Sequence, residues 1–135
     1  HKELSPAEVN DIFHETFVNN ATTLKLLDFH FTHDSENKAF KAFLTVERGG
    51  EEQDAVGNGN GRLDAVCNAL SKLSIRAHIA TYSEHALETV SDSRAAAYVG
   101  IDNEDGTITW GVGEHHDIIT ASILGLISAV NRQMS

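Results

Sequence analysis

The chain has 135 residues, of which 41% are hydrophobic and 22% charged, and a formal net charge of −10. That length is enough for one domain with a buried core or two small ones. The acidic balance, with no basic stripe, argues against a nucleic-acid or anionic-membrane partner. No apolar run approaches the roughly 18–20 residues that cross a bilayer, and no secretory signal is visible. Cys67 is the single cysteine, which excludes an internal disulfide framework or a cysteine-rich zinc site and suits a reducing, cytoplasmic setting. The opening "HKELS" lacks an initiator Met, so the chain reads as a piece of a longer protein, with His1 a tag remnant.

The first element is a helix. Ser5, Pro6 and Glu8 form a capping box with proline at the first helical position. Val9, Ile12, Phe13 and Phe17 follow at helical spacing and predict one buried stripe that ends at Asn19–Asn20. From Thr23 the period becomes two. In "TLKLLDFHFTHD" Leu27, Phe29 and Phe31 are expected on one face, with Asp28 and His30 on the other. "DSEN" is a turn, Phe40, Ala42, Leu44 and Val46 share a face of a second strand, and Gly49–Gly50 marks a hairpin into "EEQDAVG". The glycine turn "GNGNG", residues 57–61, then leads into a helix with the stripe Leu63, Val66, Cys67, Leu70 and Leu73.

The second half repeats this order. "SIRAHIATYSEHAL", "RAAAYVGIDNED" and "GTITWGVG" predict strands, and "EHHDIITASILGLISAVNR" a helix with Ile119, Ile123, Leu126, Ile127 and Val130 on its main stripe. The expected fold is α+β: internally duplicated β-β-β-α units, residues 22–73 and 74–135, packed on each other and preceded by a helix within residues 1–21.

The glycine turn does not fit a nucleotide loop. Arg62 and Leu63 stand where a Walker loop needs Lys and Ser/Thr, and the dinucleotide spacing and parallel β-α-β setting are missing. Two readings stay open: a helix N-terminus offering N–H groups to a carboxylate, or a plain tight turn. Asp64 and Asp117 each read either as an ammonium partner or as a helix cap. The "GEHHD" run lacks a third metal ligand at helical spacing, so no metal is expected. His30 and His33 read as a solvated pair. Glu84 and His85 should face opposite ways on a strand, and Cys67 reads as core. The small residues Ala121, Ser122, Gly125 and Ala129 read as close packing on the sheet.

Three stretches, "GNGNGRLDAVCNAL", "YSEHALETVSDSRAAAYV" and "WGVGEHHDIITASILGLISAVNR", together resemble the C-terminal regulatory domain of 2-isopropylmalate synthase; citramalate and homocitrate synthases are related. The resemblance implies a dimer that binds L-leucine as feedback inhibitor at the dimer interface. Its site would include Gly59, Asn60, Gly61, Leu63 and Asp64, then Ile79, Tyr82 and Ala86, then Ser93 and Ala95, and finally His115, His116 and Asp117. The two glycine-led helix starts would form one cradle. The implied partners are leucine, a second copy and the catalytic domain of the same parent. That parent would condense acetyl-CoA with 3-methyl-2-oxobutanoate on a metal-dependent barrel absent from these residues, so no catalytic residue and no cofactor is expected here. A citramalate synthase domain binding isoleucine, or an oligomerisation module with a vestigial pocket, are the rival readings. Arg62 stands where many relatives have proline, and His115–His116 replace smaller residues.

Overall fold

A computed structural model describes residues 3–89 and 92–135; His1, and Val90 and Ser91 within the second of the three stretches, lie outside them. The order is α1 (Pro6–Phe17), β1 (Leu24–Asp34), β2 (Ala39–Arg48), β3 (Glu51–Gly59), α2 (Arg62–Lys72), β4 (Ile79–Thr89), β5 (Asp92–Asp102), β6 (Ile108–His115) and α3 (Ile118–Met134). The strands form two antiparallel three-stranded sheets, β1-β2-β3 and β4-β5-β6. The duplicated β-β-β-α reading therefore holds.

One core joins the two units. Leu24, Leu44 and Val46 of the first sheet, Val66 and Leu70 of α2, Val99 and Ile101 of the second sheet, and Ile123, Leu126 and Val130 of α3 belong to a single buried cluster. α2 lies over β3 and β2, α3 over β6 and β5, and α3 also touches β1. Gly49 and Gly50 both take positive φ, 58° and 81°, as the β2–β3 hairpin with its tight two-residue turn requires.

The glycines of "GNGNG" are only partly a turn. Gly57 and Gly59 lie inside β3, and the turn is confined to Asn60–Gly61. A Cβ on Gly57 would run into the backbone of Ala65 and Ala69, and one on Gly59 would sit 2.6 Å from the Ala65 nitrogen. Gly111 and Gly113 of β6 repeat the arrangement against Gly125, Ala129 and Ala121 of α3. Each unit thus lays a helix with small residues four apart onto a Gly-x-Gly strand at near backbone contact. The close-packing reading of Gly125 holds, since its own Cβ would lie 2.9 Å from Val99 and 3.0 Å from the Ala97 carbonyl.

This correspondence shows where the repeat breaks. Ala65 and Ala69 in α2 take the places of Gly125 and Ala129 in α3. On that alignment Ala121, already helical in α3, matches Gly61, which only precedes α2. α3 therefore begins about one turn earlier than α2, so the two helix starts are not equivalent.

Four expectations need correction. The stripe of α1 is not buried: no α1 residue is, and Val9 and Ile12 are 52% and 48% exposed. A bulge between Leu26 and Asp28 shifts the register of β1. Leu27 turns outward, while Leu26, Phe29 and Phe31 pack on the core. β4 starts at Ile79 rather than Ser74, because Ser74 takes φ 61° and residues 73–75 close α2 through bonds back to Leu70 and Ser71. His30 and His33 are solvated as expected, but not as a pair; His30 stacks on Phe43 at 4.3 Å and His33 lies against Phe40 at 4.4 Å.

The link from α1 to β1 is pinned to α3 by two buried polar side chains. Asn131 accepts from the N–H groups of Thr23 and Leu24 at 3.0 and 2.7 Å and donates to the carbonyls of Asn20 and Leu24 at 2.7 and 2.8 Å. Ser128 donates to the Phe17 carbonyl at 2.5 Å and accepts from Asn20 N–H at 3.2 Å.

Candidate functional site

The start of α2 opens onto a cleft of about 760 Å³. Gly61 is the N-cap, in extended conformation, and no side chain caps the helix. The first-turn N–H groups therefore present a partial positive charge toward the cleft mouth. Gly59 and Asn60 lie on one side, and Asp64, Cys67, Asn68 and Ser71 descend along α2 at helical spacing. The opposite wall is the segment from Ser74 to Ile79, whose Ile75, Ala77 and Ile79 are apolar.

The polar end of the cleft is braced. Arg76 donates to the Asp102 carboxylate at 2.6 Å and to the Asp102 carbonyl at 2.7 Å, and also meets His78 Nδ1 at 3.2 Å and the Glu104 carboxylate at 3.8 Å. Asn68 donates to the Asn58 carbonyl at 2.5 Å, tying α2 to the outer edge of β3. Burial first, then the Asp64 charge, pushes the Cys67 thiol up to about 12. It is therefore a neutral wall group at physiological pH, not a nucleophile. Cys67 packs against the core as expected, but it also faces the cleft.

The site residues expected from the sequence fall into separate groups within one chain. Gly59, Asn60, Asp64 and Ile79 line the cleft; Gly61 ends the turn at its mouth, and Leu63 packs onto the core. A second group surrounds the start of α3. Ala95 pairs with Ala86 on one side and His115 on the other. Tyr82 donates to Glu84 Oε2 at 2.9 Å, which places Glu84 on its face of β4, while His85 packs edge-on against Tyr98. Partial burial, then the bond to Glu84, pushes the Tyr82 phenol up to about 12, so it stays a donor at neutral pH. His116 Nδ1 lies 3.0 Å from the Ser93 carbonyl, and His115 Nδ1 accepts from Asp117 N–H at 3.0 Å. His115, His116 and Asp117 do not line the cleft, so a single chain does not join the two helix starts into one cradle.

Sequence reasoning missed Asn68, Ser71, Arg76 and His78. The first two were legible as the i+4 and i+7 positions from Asp64; Arg76 and His78 were hidden because their segment reads as strand.

The two aspartates resolve differently. Asp117 is a helix cap, accepting from Thr120 N–H at 2.9 Å and from its hydroxyl at 2.7 Å. These bonds hold its carboxyl below the usual carboxylate range. Asp64 lies inside the first turn of α2, exposed at the cleft mouth. Asp117→Ala is expected to cost about 1 kcal/mol in urea unfolding at pH 7. Because the folded-state value is depressed, that stabilisation is present above the unfolded value and fades as pH falls through the folded one. The wild-type advantage over the variant should therefore shrink in acid.

The sequence model of the family described as LeuA allosteric (dimerisation) domain matches residues 3–134. The chain belongs to that family. Among its relatives are proteins named 2-isopropylmalate synthase from Desulfitobacterium hafniense, 46% identical over 132 residues, and Helicobacter hepaticus, 48% identical over 139 residues. One from Mycobacterium leprae is 35% identical over 133 residues. These alignments cover 97%, 98% and 98% of this chain but only 23%, 25% and 22% of the respective relatives. The chain thus spans about a quarter of the length of the curated relatives that it matches.

Among the described residues, no helix is long and apolar enough to cross a membrane.

Proposed function

We propose that this chain is the regulatory domain of a 2-isopropylmalate synthase, binding leucine for feedback inhibition and pairing with a second copy in the cytoplasm. The observation that carries the reading is the family match over residues 3–134 of a chain whose α2 start opens on a cleft. That cleft offers what a free amino acid needs. N–H groups at the uncapped helix start suit the carboxylate, Asp64 suits the ammonium, and Ile75, Ala77, Ile79 and Cys67 suit an aliphatic side chain. Burying an isobutyl group would gain roughly 1.5–3 kcal/mol.

A second copy fits the remaining residues. α3 covers β5 and β6, and the inner side of β4 at Tyr82, Glu84 and Ala86 stays exposed. Covering that face with a partner would bring the second group of residues into a binding site at the dimer interface. The parent would condense acetyl-CoA with 3-methyl-2-oxobutanoate on a separate catalytic domain, which holds any metal.

Calorimetric titration of leucine, isoleucine and valine into the 135-residue chain, with light scattering alongside, tests this. The expected result is a dimer that releases heat with leucine and binds it more tightly than isoleucine or valine. A dimer silent to all three would leave a bare oligomerisation module. Tighter binding of isoleucine would favour a citramalate synthase domain.

A further inference from the structure

α1 is attached to the rest of the chain through its C-terminal end. None of its residues is buried, and its contacts run to α3 and β6. At that end, Arg132 lies 3.9 Å over the Phe17 ring and Ser128 holds the Phe17 carbonyl. The chain then turns through Asn19, which takes a left-handed φ of 50°. This turn delivers the Asn19 amide to Glu114 of β6. Its Oδ1 accepts from Glu114 N–H at 2.9 Å, and its Nδ2 donates to the Glu114 carbonyl at 3.2 Å. Asn19 N–H also donates to the Val112 carbonyl at 2.8 Å, and Val18 bridges to Val112 in parallel. From α1 itself, His14 Nε2 reaches within 3.4 Å of the Glu114 carboxylate.

Glu114 is followed directly by the histidine turn. His115 pairs with Ala95 and accepts from Asp117 N–H, and His116 reaches the Ser93 carbonyl. One amide side chain therefore grips both backbone groups of the residue that joins α1 to this part of the proposed site.

We infer that Asn19 is a positioning residue that couples the orientation of α1 to the histidine turn, so that a ligand bound there is felt by α1. The inference rests on the leucine reading above. A ligand that orders residues 115–117 fixes Glu114, and the reciprocal pair of bonds then restrains Asn19 and the end of α1. By linkage, an α1 held in place raises affinity for the ligand by the same factor.

Amide hydrogen exchange over residues 6–17 and 113–117, with and without leucine, tests this beside calorimetry on the same samples. In the wild-type chain leucine is expected to slow exchange in α1 by about tenfold, within the usual range of coupling between sites. Asn19→Gly tolerates the left-handed backbone and removes the side-chain amide, with some added backbone freedom; it should still bind leucine while α1 no longer responds. Equal slowing in both proteins, or a wild-type α1 indifferent to bound leucine, would overturn the inference. If calorimetry shows no leucine binding at all, the leucine reading falls, and the ligand-free comparison decides on the clasp. Asn19→Gly must then speed exchange in α1 and in residues 113–117 together, and a change in α1 alone would refute the coupling.

Discussion

Gly113→Ala is expected to lower stability by about 3 kcal/mol or more in urea unfolding, at the upper end of what an overpacked core costs. The new Cβ would overlap the Ala121 carbonyl oxygen and lie 2.5 Å from the Gly125 nitrogen. Both are backbone atoms of a helix buried along most of its length. Neither can turn aside as a side chain would, so α3 must lift off β6. Gly61→Ala is the internal control. Its Cβ would meet nothing nearer than Asp64 Oδ2 at 4.0 Å, and its φ of −132° suits any residue. It should lose no more than about 1 kcal/mol, the cost of a poorer N-cap. If the two variants were equally stable, the account of the Gly-x-Gly strands as helix beds would be wrong.

Asn131→Leu should be nearly as damaging, by about 3–5 kcal/mol. The side chain is fully buried and uses both its amide ends on the start of β1 and the link before it. Leucine fills the volume but strands the Leu24 N–H and carbonyl, with further loss at Thr23 and Asn20. Each unsatisfied buried group costs about 1–3 kcal/mol. Asn131→Asp adds a pH signature. A carboxylate there would accept from the two N–H groups but face two carbonyl oxygens, and burial would raise its folded-state value. The variant should therefore be least unstable below the ordinary aspartate range near 3.9 and lose stability as pH rises through the raised value. A flat difference from wild type between pH 3 and 7 would show that the site admits water.

Much of the architecture was legible because the periods were clean. The alternation of Phe40, Ala42, Leu44 and Val46 gave β2 and its buried face, and Ser5, Pro6 and Glu8 gave the start of α1. The failures have local causes. An extra residue at Leu27 leaves the composition of β1 unchanged while moving its later half to the other phase. The periodicity of α1 reports an apolar face but not whether this chain covers it. Ala65 and Ala69 escaped notice because alanine carries little hydrophobic weight, yet they form the seam with Gly57. The signal was present as alanines four apart following a Gly-x-Gly strand.

The candidate site was less legible than the fold. Gly59 and Gly61 look alike in sequence, but one is fixed by helix contact and the other opens the cleft mouth. Asp64 and Asp117 likewise differ because α3 begins a turn earlier, an offset visible only once strand and helix are matched together.

Trp110 is the chain's single tryptophan and is 40% exposed on β6. Its carbonyl accepts from Arg132, the residue stacked over Phe17 at the end of α1. It lies on β6, the strand that carries Glu114 and ends at His115. The molecule therefore carries a built-in chromophore on the strand that the leading helix meets. Its emission needs no label and has no second indole to dilute it, so intrinsic fluorescence can report on that strand in real time.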